Sequence, residues 1–131
     1  MTFEPLMTET SITARLRRFV LTSVPSVPYL EAMLLLRNEP REWTSQQVAQ
    51  RLYMSEKNAH ALLSELTSAG ISHCNASQYR FMPLNDDLRD LIDELAAAYA
   101  HHLLEITHLI HSKIDRQAQQ FADAFKLRKD S

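Results

Sequence analysis

The sequence predicts a mainly α-helical chain with one small β-hairpin. Apolar residues recur at three- and four-residue spacing through most of the 131 positions, as half-buried helices require. Residues 71–82 alone switch to the alternation of paired strands. Gly70 is the single glycine, too few for a fold built on many tight β-turns. With 45% hydrophobic and 23% charged residues, the balance is that of a globular domain rather than a disordered segment.

In chain order, Thr8 to Ser11 offer helix-capping groups, and Ile12, Leu16, Phe19 and Val20 follow at helical spacing. Pro25 and Pro28 end this first helix near Ser23, because the residue before a proline avoids helical geometry. Ser26 caps a second helix with Pro28 in its first turn. Tyr29, Leu30, Met33, Leu34 and Leu36 make that helix apolar on most of its circumference, so it is expected at the centre of the core. Asn38-Glu39-Pro40 stops it. Glu42-Trp43-Thr44 has β character, with Trp43 expected to plug the edge of the core. A third helix runs from Ser45 or Gln46 to about Tyr53, with Val48, Ala49 and Leu52 inside. Met54 is a turn residue, and Ser55 caps a fourth helix with Ala59, Leu62, Leu63 and Leu66 on its inner stripe. Gly70 is placed as its left-handed cap.

Ile71 to Cys74 and Tyr79 to Met82 read as two strands joined by Asn75-Ala76-Ser77-Gln78. Alternation sets Cys74 opposite His73, where it is expected as a small buried hydrophobe rather than a redox thiol. Leu84 to about Ile110 is the longest helical pattern, interrupted weakly at Ser112-Lys113 before a last segment, 114–125. Leu88, Leu91, Leu95, Tyr99, Leu103, Ile106 and Ile110 form its apolar stripe, which either folds back on the chain's own core or seats a second copy; the length favours a homodimer. The organisation expected is an N-terminal helix over 1–25, a compact domain over 26–83 and a long helical region over 84–131.

Several function classes are excluded. The single cysteine, Cys74, cannot build an internal disulfide framework or a cysteine-rich zinc site, and it suits a reducing cytoplasm. Met1-Thr2-Phe3-Glu4-Pro5 carries acid where a secretory signal carries positive charge, and no apolar run approaches the ~20 residues of a membrane span. A cytoplasmic protein with no membrane partner is expected. One glycine rules out glycine-rich phosphate loops. No nucleophile has a nearby base and no carboxylates pair, so the chain is expected to be neither an enzyme nor a cofactor binder. His101, Glu105 and His108 share one helix stripe at metal-ligand spacing, with His111 a turn beyond. A partly exposed helix face or a dimer seam accounts for them better than a metal does.

Helix, short strand, helix, tight turn, helix, glycine, hairpin, helix is the order of a winged helix-turn-helix. The stretch Glu42-Trp43-Thr44-Ser45-Gln46-Gln47-Val48-Ala49-Gln50-Arg51-Leu52-Tyr53-Met54-Ser55, the Ala59/Leu62/Leu63/Leu66 stripe and Gly70-Ile71 resemble the DNA-binding core of small bacterial regulators of the broad MarR-like and PadR-like type. The resemblance implies a winged helix-turn-helix core, an N-terminal helix and a long C-terminal helix that together build a dimer, and a transcriptional regulator that reads double-stranded DNA. It further implies that the helix beginning at Ser55 lies in the major groove, with Lys57, Asn58, His60 and Ala61 against base edges and Ser64 one turn on. Gln46, Gln47 and Arg51 would then reach phosphates, and Arg80 the backbone or minor groove.

Arg15, Arg17 and Arg18 are the one dense basic cluster, either an arm that contacts phosphate or the solvated face of the first helix. Charge keeps a second function open. Residues 1–82 hold eight Lys/Arg against seven Asp/Glu, and residues 83–131 hold six against nine, whereas duplex-binding domains are usually basic. Glu56 and Glu65 flank the reading face, and the hairpin loop has no Lys or Arg. The alternative is therefore a non-catalytic winged-helix module that holds another protein and does not bind DNA.

Overall fold

A computed structural model describes residues 12–130, with side chains as far as position 124. Among the described residues there are six helices and a two-stranded antiparallel sheet. They are α1 (Ala14–Ser23), α2 (Val27–Asn38), α3 (Ser45–Leu52), α4 (Glu56–Ser68), β1 (Ser72–Asn75), β2 (Gln78–Phe81), α5 (Asp86–His101) and α6 (Leu103–Asp130). The chain separates into two compact units. One is Val27–Ala96; the other joins the described residues up to Ser26 with those from Ala97 onward.

In the 27–96 unit, α2 buries Tyr29, Leu30, Ala32, Met33, Leu34 and Leu36, a nearly all-round apolar helix that α3, α4 and β2 pack against. Pro28 lies in its first turn, where a missing N–H leaves no helical bond unmade. Val48 and Ala49 of α3 and Ala59, Leu63 and Leu66 of α4 supply the facing surfaces. Arg37, at the end of α2, donates to Asp93 of α5 at 2.8 Å. Asn85 caps α5 by accepting from the Leu88 N–H at 2.9 Å.

Trp43 is fully buried and forms a bridge with Tyr79, each donating its backbone N–H to the other's carbonyl at 2.7 Å. Its indole N–H is satisfied by the Glu39 carbonyl at 3.0 Å. Gly70 has φ +78°, and a β-carbon there would lie 3.2 Å from the Leu84 β-carbon. Both the backbone and the neighbour therefore call for glycine after α4.

The hairpin is tighter than the alternation suggests. Asn75 pairs with Gln78, leaving a two-residue turn in which Ala76 (φ 54°) and Ser77 (φ 64°) are both left-handed. That geometry matches the twist of antiparallel strands and usually selects Asn-Gly. A ribbon this short is covered at Ser72 and where Tyr79 meets Trp43, while the end of β1 is left open. Cys74, expected to be buried, is consequently exposed.

In the other unit, Thr13 caps α1 by accepting from the Leu16 N–H at 3.0 Å. The buried residues Leu16, Phe19 and Val20 of α1 and Ile106 and Ile110 of α6 belong to the packed α1–α6 pair. The Lys113 ammonium donates to the Leu21 carbonyl at 2.9 Å and the Val24 carbonyl at 3.2 Å. A cation there satisfies carbonyls left over at the end of α1 and meets its negative dipole end. Burial pushes the Lys113 amine below its ordinary pKa. Ser112-Lys113 thus does not interrupt the helix; the break falls at His102, between α5 and α6. The groups expected at Thr8 to Ser11 lie outside the described residues. No single helix among the described residues is long and apolar enough to cross a membrane.

Candidate functional site

Residues 44–70 form two helices joined by Tyr53-Met54-Ser55, and the local chemistry of each end accounts for the turn. Thr44 accepts from the Gln47 N–H at 3.1 Å while the Gln47 side chain accepts from the Thr44 N–H at 3.0 Å, a reciprocal capping box. At the far end Tyr53 adopts φ 57°, ψ 50°, and its N–H donates to the Ala49 carbonyl. The next N–H, that of Met54, reaches the same carbonyl at 3.0 Å. One left-handed residue ends α3 in this way, and two residues later Ser55 opens α4 by accepting from the Asn58 N–H at 3.1 Å.

The side chains expected to meet a ligand divide into two sets. Gln46, Lys57, Asn58, His60, Ala61 and Arg80 are exposed. Among the described residues, the side chains of Lys57, Asn58 and His60 in the first turns of α4 make no hydrogen bond or ion pair. The others are engaged within the chain. Gln47 completes the capping box and also accepts from Arg41 at 3.3 Å. Arg51 forms an ion pair with Glu39. Ser55 is the cap of α4. Ser64 is half-buried and turns to the Tyr79 hydroxyl, which also meets Ser45 and Cys74. Burial is the main cause, and Cys74 the next, of a Tyr79 pKa above its ordinary value. The exposed part of the expected set is accordingly narrower than the spacing suggests, because two caps, the Tyr79 hub and the ion pair to Glu39 take four of its members.

Two neighbouring features were not legible in the periodicity. Arg41 lies over the Trp43 ring with its guanidinium carbon 3.5 Å from the centroid, and Arg51 sits 5.6 Å from the same centroid. Trp43 therefore acts as a platform that holds both cations by cation–π attraction. Next to it is a hollow of about 370 Å³ lined by Pro40, Arg41, Glu42, Arg80 and Phe81. The preceding Asn38-Glu39-Pro40 stop was the available signal, since it brings Arg41 to the edge of the sheet. Tyr53, the other feature, is 96% exposed and had no signal beyond its place at the end of α3.

In the helical unit, Arg15, Arg17 and Arg18 are exposed along α1, and Arg17 lies 3.6 Å from Glu105. That pairing removes Glu105 from the His101/Glu105/His108 stripe. Among the described residues no three His, Cys, Asp or Glu side chains converge on a metal position. The stripe drawn as a dimer seam is largely internal: Leu95, Ile106 and Ile110 are fully buried in the chain's own packing, as is Ile92, which the stripe omitted. Leu88, Leu91 and Tyr99 are half-buried, and Leu103 is exposed. Farther along α6 every residue from Ile114 to Ala124 is exposed, including Phe121. The difference arises because α1 packs on the first turns of α6 and buries Ile106 and Ile110, whereas no contact of that kind covers the residues from Ile114 on among those described.

Compared with known proteins, the chain matches no protein-family model, no curated protein and no solved structure.

Proposed function

We propose that this chain is a winged helix-turn-helix protein that binds double-stranded DNA as a dimer and regulates transcription, with the N-terminal turns of α4 in the major groove. One observation carries the reading. Two capped helices flank a three-residue turn, and the second begins with Lys57, Asn58, His60 and Ala61 exposed, the side chains of the polar ones without a partner among the described residues. Asn pairs bidentately with adenine and Lys with guanine or phosphate, so those residue types suit a groove edge. The hairpin with Arg80 exposed on β2 supplies the wing.

Self-association is assigned to the exposed run of α6. Its 28 residues span ~42 Å at the usual rise per residue, and an isolated helical stretch of this kind is marginal in water. Ile114 and Phe121, with Phe125 continuing the sequence pattern, give it an apolar stripe that a second copy would cover. Sedimentation velocity should find a dimer that Phe121→Glu converts to monomer; a parent that sediments as a monomer at micromolar concentration removes this part.

Anisotropy with a labelled random-sequence duplex tests the main reading. Four phosphate contacts would weaken association roughly 100-fold between about 50 and 200 mM salt, and Lys57→Ala should flatten the log–log slope by about 0.9. Absence of duplex affinity at low salt rejects DNA binding and favours the protein-binding module. That second reading draws on the 27–96 unit, where six Lys/Arg face ten Asp/Glu and Arg51 is neutralised by Glu39.

A further inference from the structure

The turn between α3 and α4 contains a residue that neither helix accounts for. Tyr53 occupies the left-handed region, where a β-carbon crowds the following carbonyl and where glycine or asparagine is the usual occupant. A bulky side chain in that conformation persists when surrounding structure over-determines it, and such strain gathers at functional positions. Here the described surroundings hold the backbone and supply nothing to the side chain. The side chain is 96% exposed and makes no hydrogen bond, ion pair or ring contact among the described residues. Ala76 and Ser77, the other non-glycine residues with positive φ, are small and are required by their two-residue hairpin turn. Tyr53 is large and its turn requires only the backbone angle. Nothing among the described residues favours a phenol there.

The residues around it narrow the choice of partner. Two positions beyond Ser55 stands Lys57, an exposed cation with no anion beside it among the described residues, and Asn58 follows. A duplex backbone offers, within one nucleotide, an apolar sugar face and an anionic oxygen. A tyrosine matches both with its ring and its hydroxyl donor. We infer that Tyr53 is a backbone-positioning residue for DNA. Its ring lies against a deoxyribose and its hydroxyl donates to a phosphate oxygen, setting the depth and register at which α4 enters the groove. Contacts of this class position a protein without reading sequence. The inference rests on the duplex-binding role proposed above for α4.

Tyr53→Gly separates the two ideas. Glycine adopts the same backbone without strain, so the variant should melt at or above the parent's temperature. Its association with a random duplex should fall about tenfold, the loss of one good contact, while the dependence on salt stays as steep as the parent's, since no cation is removed. Lys57→Ala should do the reverse and flatten that dependence. Tyr53→Phe, keeping ring and losing hydroxyl, should fall between parent and glycine variant. If the glycine variant melts lower than the parent, Tyr53→Asn, which tolerates left-handed backbone, takes its place. A parent that binds duplex and a folded glycine or asparagine variant that binds equally well overturn the role of Tyr53 alone. A flattened salt dependence in that variant also overturns it, because a phenol contributes no released counterion. A parent with no duplex affinity at low salt overturns both.

Discussion

Residues 44–70 and the α1–α6 pair solve the same problem, satisfying the backbone groups that helix ends leave over, by opposite means. Thr44 and Gln47 close the start of α3 across three positions, and Ser55 and Asn58 do the same for α4. The end of α1 is closed by Lys113, which is 92 positions from Leu21 and 89 from Val24 in the chain. The first region carries its instructions locally. The second acquires them only when two distant segments meet, after the chain has lost the entropy of closing the intervening loop. A two-helix turn built from short-range rules keeps its geometry whatever the rest of the chain does, which would suit the role proposed for Lys57 and Asn58.

Substitution in the two cores is the strongest way to break that contrast. Trp43→Ala removes a fully buried ring, an indole hydrogen bond and the cation–π platform, and should cost about 3–5 kcal/mol in chemical denaturation. Ile110→Ala should cost about 2–5 kcal/mol, with the loss confined to hydrogen-exchange protection in α1 and the first turns of α6. If Ile110→Ala strips protection from α3 and α4 equally, the two regions are one cooperative unit and the contrast fails.

A smaller effect, opposite in sign between the regions, is expected in alkali. Burial first and the Glu65 carboxylate second raise the Tyr29 pKa above 10.0, and burial with Cys74 raises that of Tyr79. The folded form of the 27–96 unit therefore holds these protons more tightly than the unfolded chain. The stabilisation is complete below pH 10.0 and is lost as pH rises through the folded-state values. Lys113 runs the other way. Burial lowers its pKa from 10.5, so the folded α1–α6 pair binds its proton less tightly, and the cost of burying the cation is relieved as pH climbs toward 10.5. Between about pH 9 and 11, the urea midpoint read by Trp43 fluorescence should fall. The midpoint read by the Ile106 and Ile110 methyl resonances should fall less or rise. Equal declines at both probes, or a pH profile at the methyls that is unchanged in Lys113→Met, would count against this assignment.

The same contrast governs what could be read in advance. The helix limits around Ser45, Ser55 and Gly70 and the switch to strands at Ile71 follow from side chains acting on their nearest backbone neighbours. The members of the proposed recognition surface are harder to read. Gln47 and Ser64 have the polarity of ligand contacts, yet one closes the capping box and the other turns to Tyr79. A polar side chain at helical spacing does not reveal whether its hydrogen bond is already made. Cys74 was misplaced because alternation marks two faces of a strand without saying whether anything covers either one.

Periodicity, capping groups and the lone glycine were enough to establish a mainly helical chain with one hairpin and a two-helix turn at residues 53–55, because those features depend on contacts a few residues long. Which side chains remain free was decided only in three dimensions. Arg51 is matched to Glu39, Ile106 and Ile110 are enclosed, Lys113 is drawn to the end of α1, and Tyr53 stands alone in solvent. Each of those outcomes depends on which groups folding brings together, and hydrophobic spacing along a chain specifies a face without specifying its neighbour.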